Sequence, residues 1–281
     1  MSVREIIVGS DLTVVQNILL GAMDDIHRIC TENNIVYYLI GGSALGAVRQ
    51  KGFIPWDIDI DIAMHRDEYE RFAEAAPSAL AKGFSYHNHC NTKNYYRPHA
   101  TVSIDNVQAV INPGYYRNSK PENLFIDIFP LDNAPDDENL REQQAAEIRK
   151  LIKLHSRKEC VLYKRNSFLQ VFVKRLIQAA LLPYTLERLE KKRDTIMTRY
   201  DKEETECWCS MVSHYPYTKQ CMPKSVYGKP VLMEFAGREY FVPEQTADYL
   251  TRIFGKNYMQ LPPEDKRVRP DDLIEKIIIA E

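Results

Sequence analysis

No stretch of the chain stays apolar for about eighteen residues, so it offers no ordinary membrane-spanning helix. Its first residues, MSVREIIVGSDL, lack an apolar segment behind a basic one and do not read as a secretory signal. Cysteine is sparse, with six spread over 281 positions at 30, 90, 160, 207, 209 and 221. Without an export signal, reduced thiols in a cytoplasm fit better than a disulfide framework. A dominant charge is also missing: 37 Lys and Arg against 39 Asp and Glu leave a net charge of -2. That excludes a globally basic nucleic-acid binder. No internal repeat or low-complexity tract is visible. What is present is globular composition, 44% apolar and 27% charged, which excludes a disordered or collagen-like chain. The length suits one or two domains.

Hydrophobic periodicity divides the chain into three parts. In 1–135, Leu12, Val15, Ile18, Leu19, Met23 and Ile26 recur at helical spacing and predict a helix over 12–33. The run 35–40, IVYYLI, predicts a buried strand. Gly41-Gly42-Ser43 ends that strand, and a short helix follows over 44–49. Residues 57–64 alternate strictly and predict a strand, 66 to about 81 a helix, and 83–112 further strands. NLFIDIF at 123–129 predicts a strand stopped by Pro130. Residues 1–135 therefore predict an α/β unit built on a sheet. Residues 136–200 read as helical, and 201–281 mix strands at 231–235 and 238–242 with a helix near 244–254.

The helical part carries its own charge. Over 147–200 there are 14 Lys and Arg against 5 Asp and Glu, so the remainder of the chain is correspondingly acidic. Within it, SFLQVFVKRLIQAALLPY at 167–184 is strongly apolar around Lys174-Arg175. One reading is a solvated helical face around a core-facing stripe. The other is a peripheral contact with anionic lipid at the inner face of a membrane.

The chemistry concentrates in GGSALGAVRQKGFIPWDIDID, residues 41–61. A strand running into Gly41 and Gly42 and then a helix offers unpaired N–H groups and partial positive charge to a phosphate. Ser43 can cap that helix and donate its hydroxyl to the same anion. Arg49 supplies a planar cation, and Lys51 joins it in the candidate cradle. A plain tight turn with a serine cap would account for the Gly-Gly-Ser alone. Asp57, Asp59 and Asp61 then alternate with Ile58, Ile60 and Ile62, which on a strand puts the carboxylates on one face. Clustered carboxylates in a half-buried sheet call for a compensating cation, and hard oxygen donors suit Mg²⁺ or Mn²⁺. Asp57 also fits a turn cap or a solvated edge. Asp127, in FIDIF, is a third carboxylate inside an apolar strand, costly there unless paired or metal-bound. Adjacent strands would bring Asp59, Asp61 and Asp127 together as metal ligands and catalytic groups, one of them serving as general base.

This order of elements resembles the polymerase-β-type nucleotidyltransferase fold, an α/β mixed-sheet core here carrying an added helical region. The block GGSALGAVRQKGFIPWDIDIDIAMHRDEYERF resembles, more closely, the LicD family, which includes the fukutin-related proteins. FIDIFPLD at 125–132 matches a second family block, and 242–267 match loosely. The resemblance implies transfer of a phospho-alcohol, phosphocholine above all, from a CDP-linked donor to a sugar hydroxyl of a teichoic acid, lipopolysaccharide or capsule. The acceptor would be a glycan or a lipid-linked glycan. It implies Asp59, Asp61 and Asp127 as metal ligands and Gly42, Ser43 and Arg49 around the phosphate. Gln50 stands where the family has His, Ile58 where it has Asp, and His99-Ala100-Thr101 where it has a basic stretch. Arg97 is the nearest cation to take that lysine's place. Choline is held best over aromatic faces, and Tyr95, Tyr96, Tyr115 and Tyr116 are candidates, with Trp56 as a wall beside the carboxylates. Cys207, Cys209, His214 and Cys221 have no standard zinc spacing, and buried thiols are the simpler reading. Rival readings are a nucleotidyltransferase that leaves NMP on a small hydroxylated substrate, a metal-dependent glycosyltransferase, and a scaffold without turnover.

Overall fold

A computed structural model describes residues 3–7, 12–93, 95–111, 121–159, 162, 166–267 and 274–280. The first part runs through strand β1 (Val3–Ile7), helix α1 (Thr13–Glu32), β2 (Tyr38–Leu39), α2 (Gly41–Gln50), β3 (Asp61–His65), α3 (Arg66–Ala79), β4 (Phe84–His87), β5 (Ala100–Ile111) and β6 (Glu122–Ala134). Three helices follow, α4 (Glu138–Glu159), α5 (Phe168–Ala180) and α6 (Leu186–Met197). The last part holds β7 (Cys207–Cys209), α7 (Tyr217–Gln220), β8 (Cys221–Pro223), α8 (Lys224–Tyr227), β9 (Val231–Phe235), β10 (Arg238–Val242), α9 (Thr246–Phe254) and β11 (Ile274–Ala280).

The main sheet is mixed, in the order β1-β11-β5-β6-β3-β2, with β4 beside β5 and the β7–β8 pair continuing from β6. Only the β3–β6 pair is parallel among the pairings described. Strand alternation gives this sheet two different faces. Ile62 and Met64 of β3 and Leu124, Ile126 and Ile128 of β6 are buried on one. Helix α1 covers that face with Val15, Leu19, Met23, Ile26 and Ile29, all fully buried at helical spacing, and α3 adds Tyr69, Phe72 and Ala76. The other face carries Asp61 and Asp127.

Several local readings need correction. Helix α2 starts at Gly41 rather than 44, with Ile40 as its N-cap. Ser43 therefore lies inside the first turn and is not the cap. Residues 57–60 are not strand: β3 begins only at Asp61. Strand β2 is too short to pair with them, because the chain turns into α2 straight after Ile40. The alternation survives as burial, with Ile58, Ile60 and Ile62 inside and Asp59 outside. Pro130 does not stop β6. The Asp127 N–H bonds toward Ile60, on the β3 side, so the missing N–H of Pro130 falls on the opposite side. There β5 has already ended at Ala100, opposite Ile128, and β7 begins only opposite Asp132. Four strands, β7, β8, β1 and β11, escape the sequence reading, and the last two matter most for the architecture. Those two join the chain's two ends to β5, so the last part is woven into the first.

An ion network ties the helical part to the sheet. Arg66, at the start of α3, donates to Asp132 of β6 at 2.6 Å and reaches Asp194 of α6 at 3.2 Å. At the other end of the site, α2 closes on its own exit loop. A Cβ at Gly46 would collide with the Gly52 carbonyl oxygen, which is backbone and cannot turn aside. Helix propensity alone favours Gly46→Ala by about 1 kcal/mol. The clash reverses the sign, and the substitution should destabilise the chain by about 1–3 kcal/mol in urea denaturation. A neutral or stabilised variant would show that this approach is loose.

Candidate active site

Four carboxylates meet where α2, the 57–60 segment, β3 and β6 come together. The parallel register sets Asp61 directly beside Asp127. The antiparallel register sets Thr101 on the other side of Asp127. Asp57 is held by its turn: its N–H donates to the Ile54 carbonyl and its carbonyl accepts from the Gln16 amide. The side chain then turns back and accepts from the Ile58 N–H at 3.0 Å.

The two glycines make room for these groups. Gly41 has φ +53°, a left-handed conformation that an L side chain rarely adopts. A Cβ there would stand 3.3 Å from Asp61 Oδ2, and one at Gly42 would stand 3.3 Å from Asp57 Oδ2. The amino end of α2 therefore presses directly on two carboxylates, where its partial positive charge helps them. The Gly41 N–H donates to the Tyr249 hydroxyl at 2.9 Å, and the Ser43 hydroxyl accepts from the Asp61 N–H at 2.9 Å.

Asp57, Asp59 and Asp61 hold their protons more tightly than usual. For Asp61 the first cause is lost hydration, then the charges of Asp59, Asp127 and Asp57. Asp59 is exposed at the rim of the cluster. Protein crowds it elsewhere, and removal of water leads there too, ahead of repulsion from Asp57 and Asp127. Asp57 is raised by burial, offset in part by the hydrogen bond it receives from Asp59. Neighbouring phenols register the same field. Tyr215 is pushed up to about 12, by burial first and then by Asp61, Asp59 and Asp57. Tyr249 is raised by burial, with Asp61 adding to it.

Asp127 has one more partner. His99 Nε2 lies 2.7 Å from Asp127 Oδ1. An ionised carboxylate only accepts, so the imidazole donates. The Tyr95 hydroxyl donates to the His99 carbonyl at 2.9 Å, and the His99 ring packs on Phe129 with centroids 4.2 Å apart. His99, Tyr215 and Tyr249 were not among the residues read from the sequence as site groups. Their ring chemistry was visible, but nothing in the spacing joined 99, 215 and 249 to 57–61.

Other candidates lie elsewhere. Arg49 sits near the far end of α2, about 12 Å along the helix from Gly41. Its guanidinium donates to the Tyr258 and Gln260 carbonyls. Lys51 pairs with Glu234 at the surface, 3.0 Å away. Neither joins the carboxylates. Trp56 lies under the Arg267 guanidinium, 4.8 Å from the ring centre. Arg97 is bound to Glu122 at 2.7 Å and stacks on Phe125, which shares the Asp127 face of β6. Tyr96 donates to the same Glu122. Tyr115 and Tyr116 fall outside the described residues. Cys207, Cys209 and Cys221 are free and buried across β7 and β8, as plain thiols would be.

The donor set fits a hard divalent ion in chemistry: four carboxylates crowded together and repelling one another. Among the described residues, however, no three His, Cys, Asp or Glu side chains stand in a closed metal-binding arrangement. Asp59, Asp61 and Asp127 could hold an ion only by drawing closer together.

Residues 34–155, which contain all four carboxylates, match the LicD/FKTN/FKRP nucleotidyltransferase domain. The lipopolysaccharide cholinephosphotransferase LicD of Haemophilus influenzae is 28% identical over 274 residues, covering 94% of this chain and 97% of that protein. Two uncharacterised rickettsial proteins match over short stretches. The one from Rickettsia typhi is 44% identical over 63 residues, 22% of this chain and 20% of its own length. The one from Rickettsia prowazekii is 53% identical over 47 residues, 16% and 18%.

A carboxyl that binds its proton more tightly folded than unfolded costs stability wherever it is ionised, and that cost fades as pH falls through its folded pKa. Asp61→Asn should therefore raise the melting temperature of metal-free protein by a few degrees at pH 8, with the gain shrinking toward pH 5. Scanning calorimetry in a chelator checks this. A variant less stable than the parent at pH 8 would contradict the electrostatic reading.

Proposed function

Residues 34–155 form a domain of the LicD/FKTN/FKRP family, and on that premise we propose that the chain moves phosphocholine from CDP-choline to a sugar hydroxyl of a cell-surface glycan. The name of the Haemophilus relative, similar over nearly the full length of both chains, favours lipopolysaccharide as acceptor. Teichoic acid and capsule are acceptors of the same chemical class. The polymerase-β-type fold belongs to this reading too. The observation that carries it is the in-register pair Asp61 and Asp127, joined by Asp57 and Asp59 beside Gly41 and Gly42.

In this reading Asp59, Asp61 and Asp127 hold Mg²⁺ or Mn²⁺. When bound, the ion supplies the positive charge that neutralises the donor diphosphate. A bare phosphate could not approach these carboxylates, so donor and cation must enter together. The first turn of α2 then faces the donor with its amides, and the Ser43 hydroxyl is fixed on the Asp61 backbone. His99 holds the Asp127 carboxyl from behind and sets its direction. The acceptor hydroxyl gives its proton to a site carboxylate as its oxygen bonds to the choline-bearing phosphorus. The bond from that phosphorus to the bridging oxygen breaks, and CMP leaves. Tyr215 offers an aromatic face to the trimethylammonium group within the field of the same carboxylates.

Incubation with Mg²⁺ and CDP-choline, CDP-glycerol or CDP-ribitol, each with a lipopolysaccharide acceptor, should release CMP fastest from CDP-choline. Asp59→Asn, Asp61→Asn and Asp127→Asn should each lower the rate about 100-fold or more with the fold intact by circular dichroism. Pyrophosphate release from a nucleoside triphosphate, with all three CDP donors inert, would instead mean a nucleotidyltransferase.

A further inference from the structure

We propose that α5 docks this protein on an anionic lipid bilayer, lying in the plane of the headgroups. Helix α5 is turned inside out relative to an ordinary surface helix. It has no buried residue. Phe168 is 87% exposed, Leu169 68% and Leu182, just beyond the helix, 70%. Phe172, Val173, Leu176 and Ile177 continue the same outward stripe. The polar side leans inward instead: the Gln178 amide donates to the Lys158 carbonyl of α4, and Lys158 donates to the Leu181 carbonyl. The helix has its own start, a reciprocal Ser167–Gln170 cap. An apolar surface of this extent marks an interaction site.

Charge identifies the occupant. The segment 147–200 carries nine more cations than anions in a chain whose net charge is -2. Lys174 and Arg175 interrupt the apolar run itself. A second copy seated face to face would bring two such basic segments together, and like charges oppose that pairing. A bilayer with anionic headgroups accepts both features at once. At 13 residues α5 extends about 20 Å, short of the roughly 30 Å needed to cross a hydrocarbon core. No described helix is long and apolar enough to span a membrane.

A groove of about 580 Å³ lies beside this face. Lys158 and Arg175 line it with Leu182, Leu186 and Tyr96. Tyr96 shares Glu122 with Arg97, which stacks on Phe125 of the Asp127 strand. Cations beside aliphatic walls match a lipid's anionic head and upper chain. A bilayer bound here would deliver a lipid-linked acceptor on the side where the sheet exposes its carboxylates.

The test is co-sedimentation of the full chain with vesicles, which reads binding and not transfer and so stands apart from the reaction proposed above. Vesicles of phosphatidylcholine with about one-third phosphatidylglycerol should bind at least about tenfold more protein than phosphatidylcholine alone, and high salt should reduce the difference. The double variant Phe172→Glu with Leu176→Glu should lose binding about tenfold with an unchanged melting temperature, because neither side chain is buried. Lys174→Glu with Arg175→Glu should remove the preference for anionic vesicles. Equal binding to both vesicle types would overturn the proposal, as would no binding. So would a dimer, seen by sedimentation velocity, that the Phe172 and Leu176 changes dissociate while vesicles stay unbound.

Discussion

Mutual repulsion among Asp57, Asp59, Asp61 and Asp127 is the constraint around which this structure is arranged. Backbone places three of them, by a turn for Asp57, a strand start for Asp61 and a parallel register for Asp127, whose carboxyl His99 also engages. Gly41 and Gly42 let the α2 amino end come within contact distance, so the helix dipole supplies part of the missing positive charge. Fixing anions this way costs stability in the resting chain. It also leaves an electrostatic demand that, on the proposed function, an incoming cation would meet. Folded and reactive requirements pull against each other here, as they do at many catalytic sites.

Residues of the same sequence block divide sharply by task. The DIDID segment and the two glycines form the carboxylate cluster. Gly46 lets α2 close on its exit loop. Arg66 and Asp132, each within a recognised block, serve the frame, binding β6 to α3 and α6 through a buried ion pair. A motif read as one functional unit is thus part chemistry and part carpentry, and burial separates the two. Arg49 shows the same division: its cation suits a phosphate, but helical rise carries it to the loop at 258–260, where carbonyls take it up.

Much of this was legible in the sequence. Helical periodicity located α1 and α3 within a residue or two, and the strands read at 231–235 and 238–242 are β9 and β10, joined by a turn at Ala236-Gly237. Both turn residues have positive φ, the mark of a tight hairpin. The separation of the aspartates from the buried isoleucines also holds, because alternating side chains report burial even where no strand forms. What failed depended on neighbours distant along the chain. Residues 57–60 lack a partner strand because β2 ends early. Pro130 is tolerated because β5 has ended beside it. His99, Tyr215 and Tyr249 reach the site only through the fold. The pairing of β1 with β11 links the two ends of the chain and leaves no local signature in either.

The central claim, that carboxylates from two strands and one turn act as a single cation-binding group, is tested most directly by calorimetric titration of Mn²⁺ into the full chain with CDP-choline present, beside Asp61→Asn and Asp127→Asn. Saturable binding to the parent chain, weakened about tenfold or more in both variants, is the result the account predicts. Affinity unchanged in the two variants, or no binding to the parent chain, would contradict it.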